Sequence, residues 1–279
     1  MNLTLTERYL AGFHDTSPGV TSRAFEHLPV HCGARAFAST YHALLSSLPD
    51  ASAPRTVLDL ACGDGHLLAL LADPASAAPP ALIGIDLSRG ELTAARARLG
   101  MRAALYRAKA QQLPLASASI DAVLSHMALM LMDDADQVIG EVRRVLTRGG
   151  VFAGLVGARP PPSPALDAFI GLYRAAAQRA EFAGIRFGDR RFRSEDGVRE
   201  LLGAGFEAPV FDQLAAARDC TPAQLWNWFA GMYDTDLLTT EARQNLERAC
   251  LHTWQPMCGP AGTLRHEDHC LLFRARAAG

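Results

Sequence analysis

Between Val57 and Asp86 the chain reads Val57-Leu58-Asp59-Leu60-Ala61-Cys62-Gly63-Asp64-Gly65-His66, then a helix-like Leu67-Leu68-Ala69-Leu70-Leu71, then Leu82-Ile83-Gly84-Ile85-Asp86. No other stretch limits the fold so tightly. An apolar run closes on a Gly-rich turn, a short amphipathic helix follows, and a second apolar run ends in an acid. That order spells a strand–loop–helix–strand unit of the kind that binds an adenosine-containing cofactor. Gly63 and Gly65 remove Cβ atoms where the backbone must turn sharply and let a ligand approach. Asp86, at the carboxyl end of the second strand, stands where a carboxylate accepts hydrogen bonds from ribose hydroxyls.

The acids narrow the cofactor further. A dinucleotide fingerprint needs a third Gly or Ala three residues after the second, and Leu68 is there. Asp59, inside the first strand and near Asp64, would repel a pyrophosphate and suits a ligand with a positive end such as an amino group. A Tyr-x-x-x-Lys motif is also absent. These points disfavour the rival reading, an NAD(P)-dependent reductase on a similar sheet.

The same residues resemble the first two motifs of the class I S-adenosylmethionine-dependent methyltransferases, whose usual form is Asp-x-x-x-Gly-x-Gly, and further matches follow in order. Ala108-Lys109-Ala110-Gln111-Gln112-Leu113-Pro114 is similar to the Asp-Ala-x-x-Leu-Pro of the ubiquinone/menaquinone-biosynthesis type, with Lys109 in the acid's place. Lysine cannot accept from an adenine amino group, so backbone near Ala110 or the Gln111 side chain has to serve. Ser125-His126-Met127-Ala128-Leu129 precedes Met130 and Leu131, which hold the family's two histidine positions, and His126 is displaced to the other side of the segment. Val145-Leu146-Thr147-Arg148-Gly149-Gly150 follows the family's Leu-Arg-x-Gly-Gly, read here as a helix end with a glycine cap before a strand from Val151 to Val156.

The resemblance covers about residues 54–157. It implies an α/β fold: a Rossmann-like, seven-stranded, mostly parallel sheet with helices on both faces and a helical cap. It implies S-adenosyl-L-methionine as cofactor, giving S-adenosyl-L-homocysteine, and methylation of oxygen, nitrogen or carbon on a small organic acceptor. Asp59 and the backbone of Ala61, Cys62, Gly63 and Gly65 then hold the methionine part. Asp86 fixes the ribose, Leu87, Ala110 and Gln111 flank the adenine, and Ser125 and Met127 are neighbours through their backbone. His126 is the candidate general base. The alternative within the resemblance is a protein that binds this cofactor without methylating.

Around that core the periodicity suggests three segments. Residues 1–53 show helical spacing without a strand pattern and read as a helical flap, with Tyr9 and Tyr41 facing the acceptor. Residues 54–157 are the cofactor-binding core. Residues 158–279 complete the sheet, with helical inserts at about 160–190 and 222–257 capping the acceptor site. Met130, Trp226 and Tyr233 are the further acceptor-site candidates.

Of 279 residues, 49% are hydrophobic, and 27 basic against 29 acidic side chains leave a net charge of −2. That balance points away from nucleic acid, and the small-molecule acceptor is what the resemblance implies. No apolar run reaches the roughly 18 residues of a membrane span, and the start lacks a signal peptide's basic region and apolar core. A cytoplasmic monomer or homodimer, away from membranes, is therefore expected. The six cysteines have no paired spacing and read as free thiols. Cys250, His252, Cys258, His266, His269 and Cys270 offer no close ligand pair, and Asp133, Asp134 and Asp136 open a helix where acids are favoured anyway, so no metal is expected.

Overall fold

The computed structural model describes residues 2–48, 54–72, 79–177 and 185–279. The chain begins with α1 (Leu5–Thr16), α2 (Val20–Phe25), β1 (Val30–Cys32), β2 (Arg35–Phe37) and α3 (Thr40–Leu45). The central alternation is β3 (Thr56–Leu60), α4 (His66–Leu71), β4 (Ala81–Asp86), α5 (Arg89–Leu99), β5 (Ala103–Arg107), β6 (Ile120–His126), α6 (Ala135–Val145) and β7 (Leu146–Gly157). Then come α7 (Pro164–Ala177), α8 (Glu195–Leu202), β8 (Val210–Cys220), α9 (Pro222–Ala230), α10 (Tyr233–Asp236), α11 (Thr240–Trp254) and β9 (Leu264–Arg276).

All strands join one sheet in the order β2-β1-β8-β9-β7-β6-β3-β4-β5. β3 to β7 pair in parallel, and β9 enters antiparallel beside β7. The central strands are almost continuously apolar because helices cover both faces. Leu58, Leu60, Val123, Phe152 and Phe273 lie in the core on one side, against Val138, Val142 and Val145 of α6. Each large side chain so buried contributes roughly 1.5–3 kcal/mol.

Two expectations are corrected. The sheet has nine strands, not seven, because the N-terminal region is not purely helical: β1 and β2 form a hairpin at the sheet edge, in register Val30↔Phe37. Three-residue strands are too short for alternation to reveal them. The Gly149-Gly150 pair does not cap a helix either. α6 ends at Val145, Leu146 is already extended (φ −68°, ψ 136°), and Gly149 lies inside β7 at φ 71°. Pairing with β6 there jumps from Ile120↔Leu146 to Ala122↔Val151, so the glycines serve a bulge.

Residues 1–158, 186–214 and 270–279 form one compact unit, and 159–185 with 215–269 a second. The second has its own core of Phe169, Leu225, Trp226, Phe229, Leu246, Cys250 and Trp254. Its α9 starts on a reciprocal cap between Thr221 and Gln224 with Pro222 in the first turn.

Candidate functional site

From β3 the chain moves outward to β4 and β5, then returns to place β6 on the opposite side of β3. The crevice at the carboxyl ends of β3 and β6 is therefore the switch point at which open α/β sheets bind ligands. Ala61 and Met127, at these two tips, both hold left-handed backbone (φ 61° and 54°). For residues with a Cβ this costs of order 1 kcal/mol each, and such strain gathers at functional sites.

The loop between β3 and α4 is set by backbone hydrogen bonds. Cys62 N–H donates to the Ile85 carbonyl at 3.0 Å, and Gly63 N–H to Asp86 Oδ2 at 2.9 Å. Gly63 and Gly65 have φ of 52° and 76°, and a Cβ on Gly65 would lie 2.8 Å from Leu99 Cδ1, so the loop packs on α5 only without a side chain. Asp86 also accepts from Ser88 N–H at 2.8 Å. A carboxylate has about four lone-pair sites, so it keeps two for further donors. Burial raises its pKa against the pull of those two bonds.

Asp59 is different. It is 2% exposed, near the carboxyl end of β3 between Gly84 and Leu124, and receives no hydrogen bond or cation from the described residues. Burial, then the charges of Asp86 and Asp64, push its pKa well above the usual carboxylate range. A buried acid that the fold leaves unpaired, ringed by other acids, is built to meet a cationic group from outside the chain.

The N-terminal segment is tied across this loop by side-chain contacts that the sequence alone did not reveal. Asp64 accepts from Ser22 Oγ at 2.7 Å and pairs with Arg98. Buried Glu91 accepts from Gly19 N–H at 2.9 Å and lies 2.7 Å from His14 Nδ1. Asp15 accepts from Ser88 Oγ and Gly90 N–H. Lys109, in place of the family's acid, is no free surface charge: it pairs with Glu7 of α1 at 2.8 Å. Only the small, capable residues (Ser, Gly, Asp) of a turn-rich stretch hinted at these contacts.

The other expected site residues fall as follows. Gln111 is buried, and its amide donates to the Asp133 carbonyl at 2.6 Å, which commits the N–H side of the group expected beside adenine. Ala110 lies in the turn after β5, and Leu87 follows Asp86 with its carbonyl accepting from Arg107. Ser125 Oγ donates to the Leu60 carbonyl at 2.9 Å and so locks β6 to β3. Met127 N–H donates to the Leu155 carbonyl at 2.7 Å, and Cys62 is a buried thiol pushed up by burial. His126, the last residue of β6, stacks on Tyr41 of α3 (3.7 Å between centroids, 16°) and stands 2.9 Å from Thr40 Oγ1 through Nε2. Phe25 meets its ring edge-on at 5.6 Å, and His66 lies 4.6 Å from the Tyr41 ring. Desolvation, with a lesser push from His66, lowers the His126 pKa to about 3.

Tyr9 on α1 lies instead near Phe13 and Phe187, and Met130 packs at the edge of the main core. Trp226 and Tyr233 belong to the second unit, where Trp226 is 4% exposed within the core. The structure thus brings together Asp59, Ala61, Cys62, Gly63, Gly65, Asp86, Ser125, His126, Met127 and Tyr41 around the switch point.

Fold and cradle define an α/β protein with a nucleoside-type site that carries excess negative charge. Residues 58–154 match the family model described as Methyltransferase domain. The malonyl-[acyl-carrier protein] O-methyltransferase of Methylovorus sp. (strain MP688) is 34% identical over 168 residues, 57% of this chain and 53% of that protein. The ubiquinone/menaquinone biosynthesis C-methyltransferase UbiE of Desulfotalea psychrophila is 32% identical over 162 residues, 54% of this chain and 65% of that one. Among solved structures, the [4+2]-cyclase SpnF shares the fold with a TM-score of 0.59 at 16% identity, covering 100% of this chain and 99% of that one. The chain spans little more than half the length of the curated relatives it matches first.

Proposed function

We propose that this protein is an S-adenosylmethionine-dependent methyltransferase acting on a small organic acceptor. The observation that carries the reading is Asp59, a buried carboxylate without a partner beside a Gly-rich loop and a second strand-end acid. When bound, the cofactor supplies an electrophilic methyl group and its own leaving group, so the protein's tasks are binding, orientation and exclusion of water. Asp59 and the backbone from Ala61 to Gly65 take the amino-acid end. Asp86 takes the ribose hydroxyls on its two spare lone-pair sites. With the Gln111 amide donating to Asp133, adenine recognition falls to backbone near Ala110 and to the Gln111 oxygen.

The relatives' names span methylation of an oxygen on a malonyl group and of a carbon in quinone biosynthesis. The malonyl group of the first is carried on a protein, and either atom type fits the displacement. A histidine whose pKa lies at about 3 is a poor general base, since proton uptake at neutral pH would cost several kcal/mol. The acceptor therefore reacts without full deprotonation by His126.

Calorimetric titration with S-adenosylhomocysteine tests the reading. Binding to the wild type, and its loss in both Asp59→Asn and Asp86→Asn, is expected. Undiminished binding in both variants would overturn it. Methyl transfer to phenols, amines and carboxylates then separates an active enzyme from a protein that binds the cofactor without methylating.

A further inference from the structure

The chain is close to neutral overall, but its charge is unevenly placed. Residues 92–120 hold Arg96, Arg98, Arg102, Arg107 and Lys109 and no acid. They span most of α5, all of β5 and the loop after it, and β5 is the last strand on its side of the sheet, paired only with β4. Arg98 is spent on Asp64 and Lys109 on Glu7. Arg96, Arg102 and Arg107, with Arg89 at the start of α5, are exposed and form no ion pair among the described residues. Set among them are two large apolar side chains in solvent, Met101 at 91% and Tyr106 at 44% exposure. Ala104 and Tyr106 share one face of β5 and are both exposed, so that face of the edge strand is bare.

The arginines are held in place without being neutralised. Arg96 Nη1 donates to the Gly100 and Ala103 carbonyls at 2.8 and 3.2 Å. Arg102 Nε and Nη2 donate to the Leu99 and Arg98 carbonyls at 3.1 and 2.9 Å, and Arg107 Nε to the Leu87 carbonyl at 2.9 Å. A carbonyl fixes a guanidinium's direction but leaves its charge whole, and each group keeps N–H donors for a partner. Less side-chain freedom is then lost on binding. Met101 and Arg102 stand at one end of β5 and Tyr106 and Arg107 at the other, about 17 Å along the strand. Arginine, methionine and tyrosine together, without Asp or Glu, are the residues that protein interfaces favour at their centre. A phosphate backbone would use the arginines and leave Met101 without a contact. A second copy would set arginine against arginine across a two-fold axis.

We propose that the α5–β5 edge is a docking surface for an acidic protein partner, whose carboxylates pair with Arg89, Arg96, Arg102 and Arg107 and whose apolar side chains cover Met101 and Tyr106. The charge complementarity supplies attraction and orientation, and the two apolar contacts supply the preference for a protein. This surface stands apart from the Gly-rich loop and does not depend on the methyltransferase reading.

The test is fluorescence anisotropy of the full chain with three labelled probes of equal charge: an all-glutamate peptide, a glutamate peptide with leucine at helical spacing, and single-stranded DNA. The leucine-bearing peptide should bind tightest and weaken roughly tenfold between about 50 and 200 mM salt. Arg89→Glu combined with Arg102→Glu should weaken both peptides roughly tenfold. Met101→Ser combined with Tyr106→Ser should erase the advantage of the leucines and leave the all-glutamate affinity unchanged, a split that charge attraction alone does not produce. Were the Arg102 variant to fail to fold, Arg89→Glu, whose side chain makes no hydrogen bond among the described residues, decides alone with a loss of about threefold. DNA bound as tightly as the leucine-bearing peptide would overturn the inference in favour of a nucleic-acid surface. Self-association that Met101→Ser abolishes in sedimentation would overturn it in favour of a second copy. Peptide binding that survives the arginine substitutions would place the contact elsewhere, and no binding of either peptide would leave the arginines as guards of a sheet edge.

Discussion

The two compact units use aromatic side chains in opposite ways. In the second, Phe169 and Phe229 stack at 4.1 Å, Trp254 is fully buried, and its indole N–H donates to the Ala165 carbonyl at 2.9 Å. Ring area there stabilises a helical core. In the first, Tyr41 and Phe25 pack on a histidine with one nitrogen that no described residue satisfies, and Asp59 is a buried acid that no described residue neutralises. Similar residue types thus sit in a closed helical core in one place and around an unsatisfied ring nitrogen in the other. What separates these two clusters is that the Trp254 indole N–H finds an acceptor while Nδ1 of His126 has no partner among the described residues.

Several substitutions would break or sharpen that contrast. The largest effect is expected from Trp254→Ala, which opens a cavity and should cost about 4 kcal/mol in urea unfolding while leaving S-adenosylhomocysteine affinity of the surviving folded protein unchanged. The His126 site should appear next, as acid sensitivity. Its folded pKa, about 3, lies below the unfolded value of 6.5, so unfolded chains bind a proton that folded ones refuse. Stability should therefore fall as pH drops from about 6.5 towards 3, by up to on the order of 4 kcal/mol. His126→Asn should flatten that slope in melts recorded across the range.

Asp59→Asn should act in the other direction. Because the folded pKa of Asp59 is raised, its charge costs nothing below about pH 4, and the penalty grows as pH rises through the folded value. The variant should gain roughly 1–3 kcal/mol over the wild type at neutral pH, with a gap that closes near pH 4, and lose cofactor binding. Equal melting temperatures at pH 7 would mean that something neutralises the acid. Smallest is Lys109→Met, which removes the partner of Glu7: a loss of about 1 kcal/mol or less in thermal melts is expected, since Lys109 is partly solvated.

The Gly-rich loop and its flanking acids were legible because their pattern is local. Asp59, Gly63, Gly65 and Asp86 sit within thirty residues, and the strand–loop–helix–strand order fixes their placement. Partnerships made across distant elements were not legible. Nothing in Lys109 announces Glu7, nothing in Gln111 announces the Asp133 carbonyl, and the Thr40 contact joins residues 86 positions apart. Gly149-Gly150 misled for a different reason: a positive φ serves a bulge as well as a helix end, and only the strand pairing distinguishes them. The three-residue strands β1 and β2 carry too little pattern to be seen at all.

That short hairpin has a mechanical consequence. It is fastened to the sheet edge by Arg35 on Asp212, while the far end of the same segment is held by Lys109 on Glu7. The helices between these two points belong to the same chain as the Gly-rich loop, so their contacts with it form within one molecule at high effective concentration. Single links such as Gly19 N–H to Glu91 can therefore re-form without assembling a whole interface from solution.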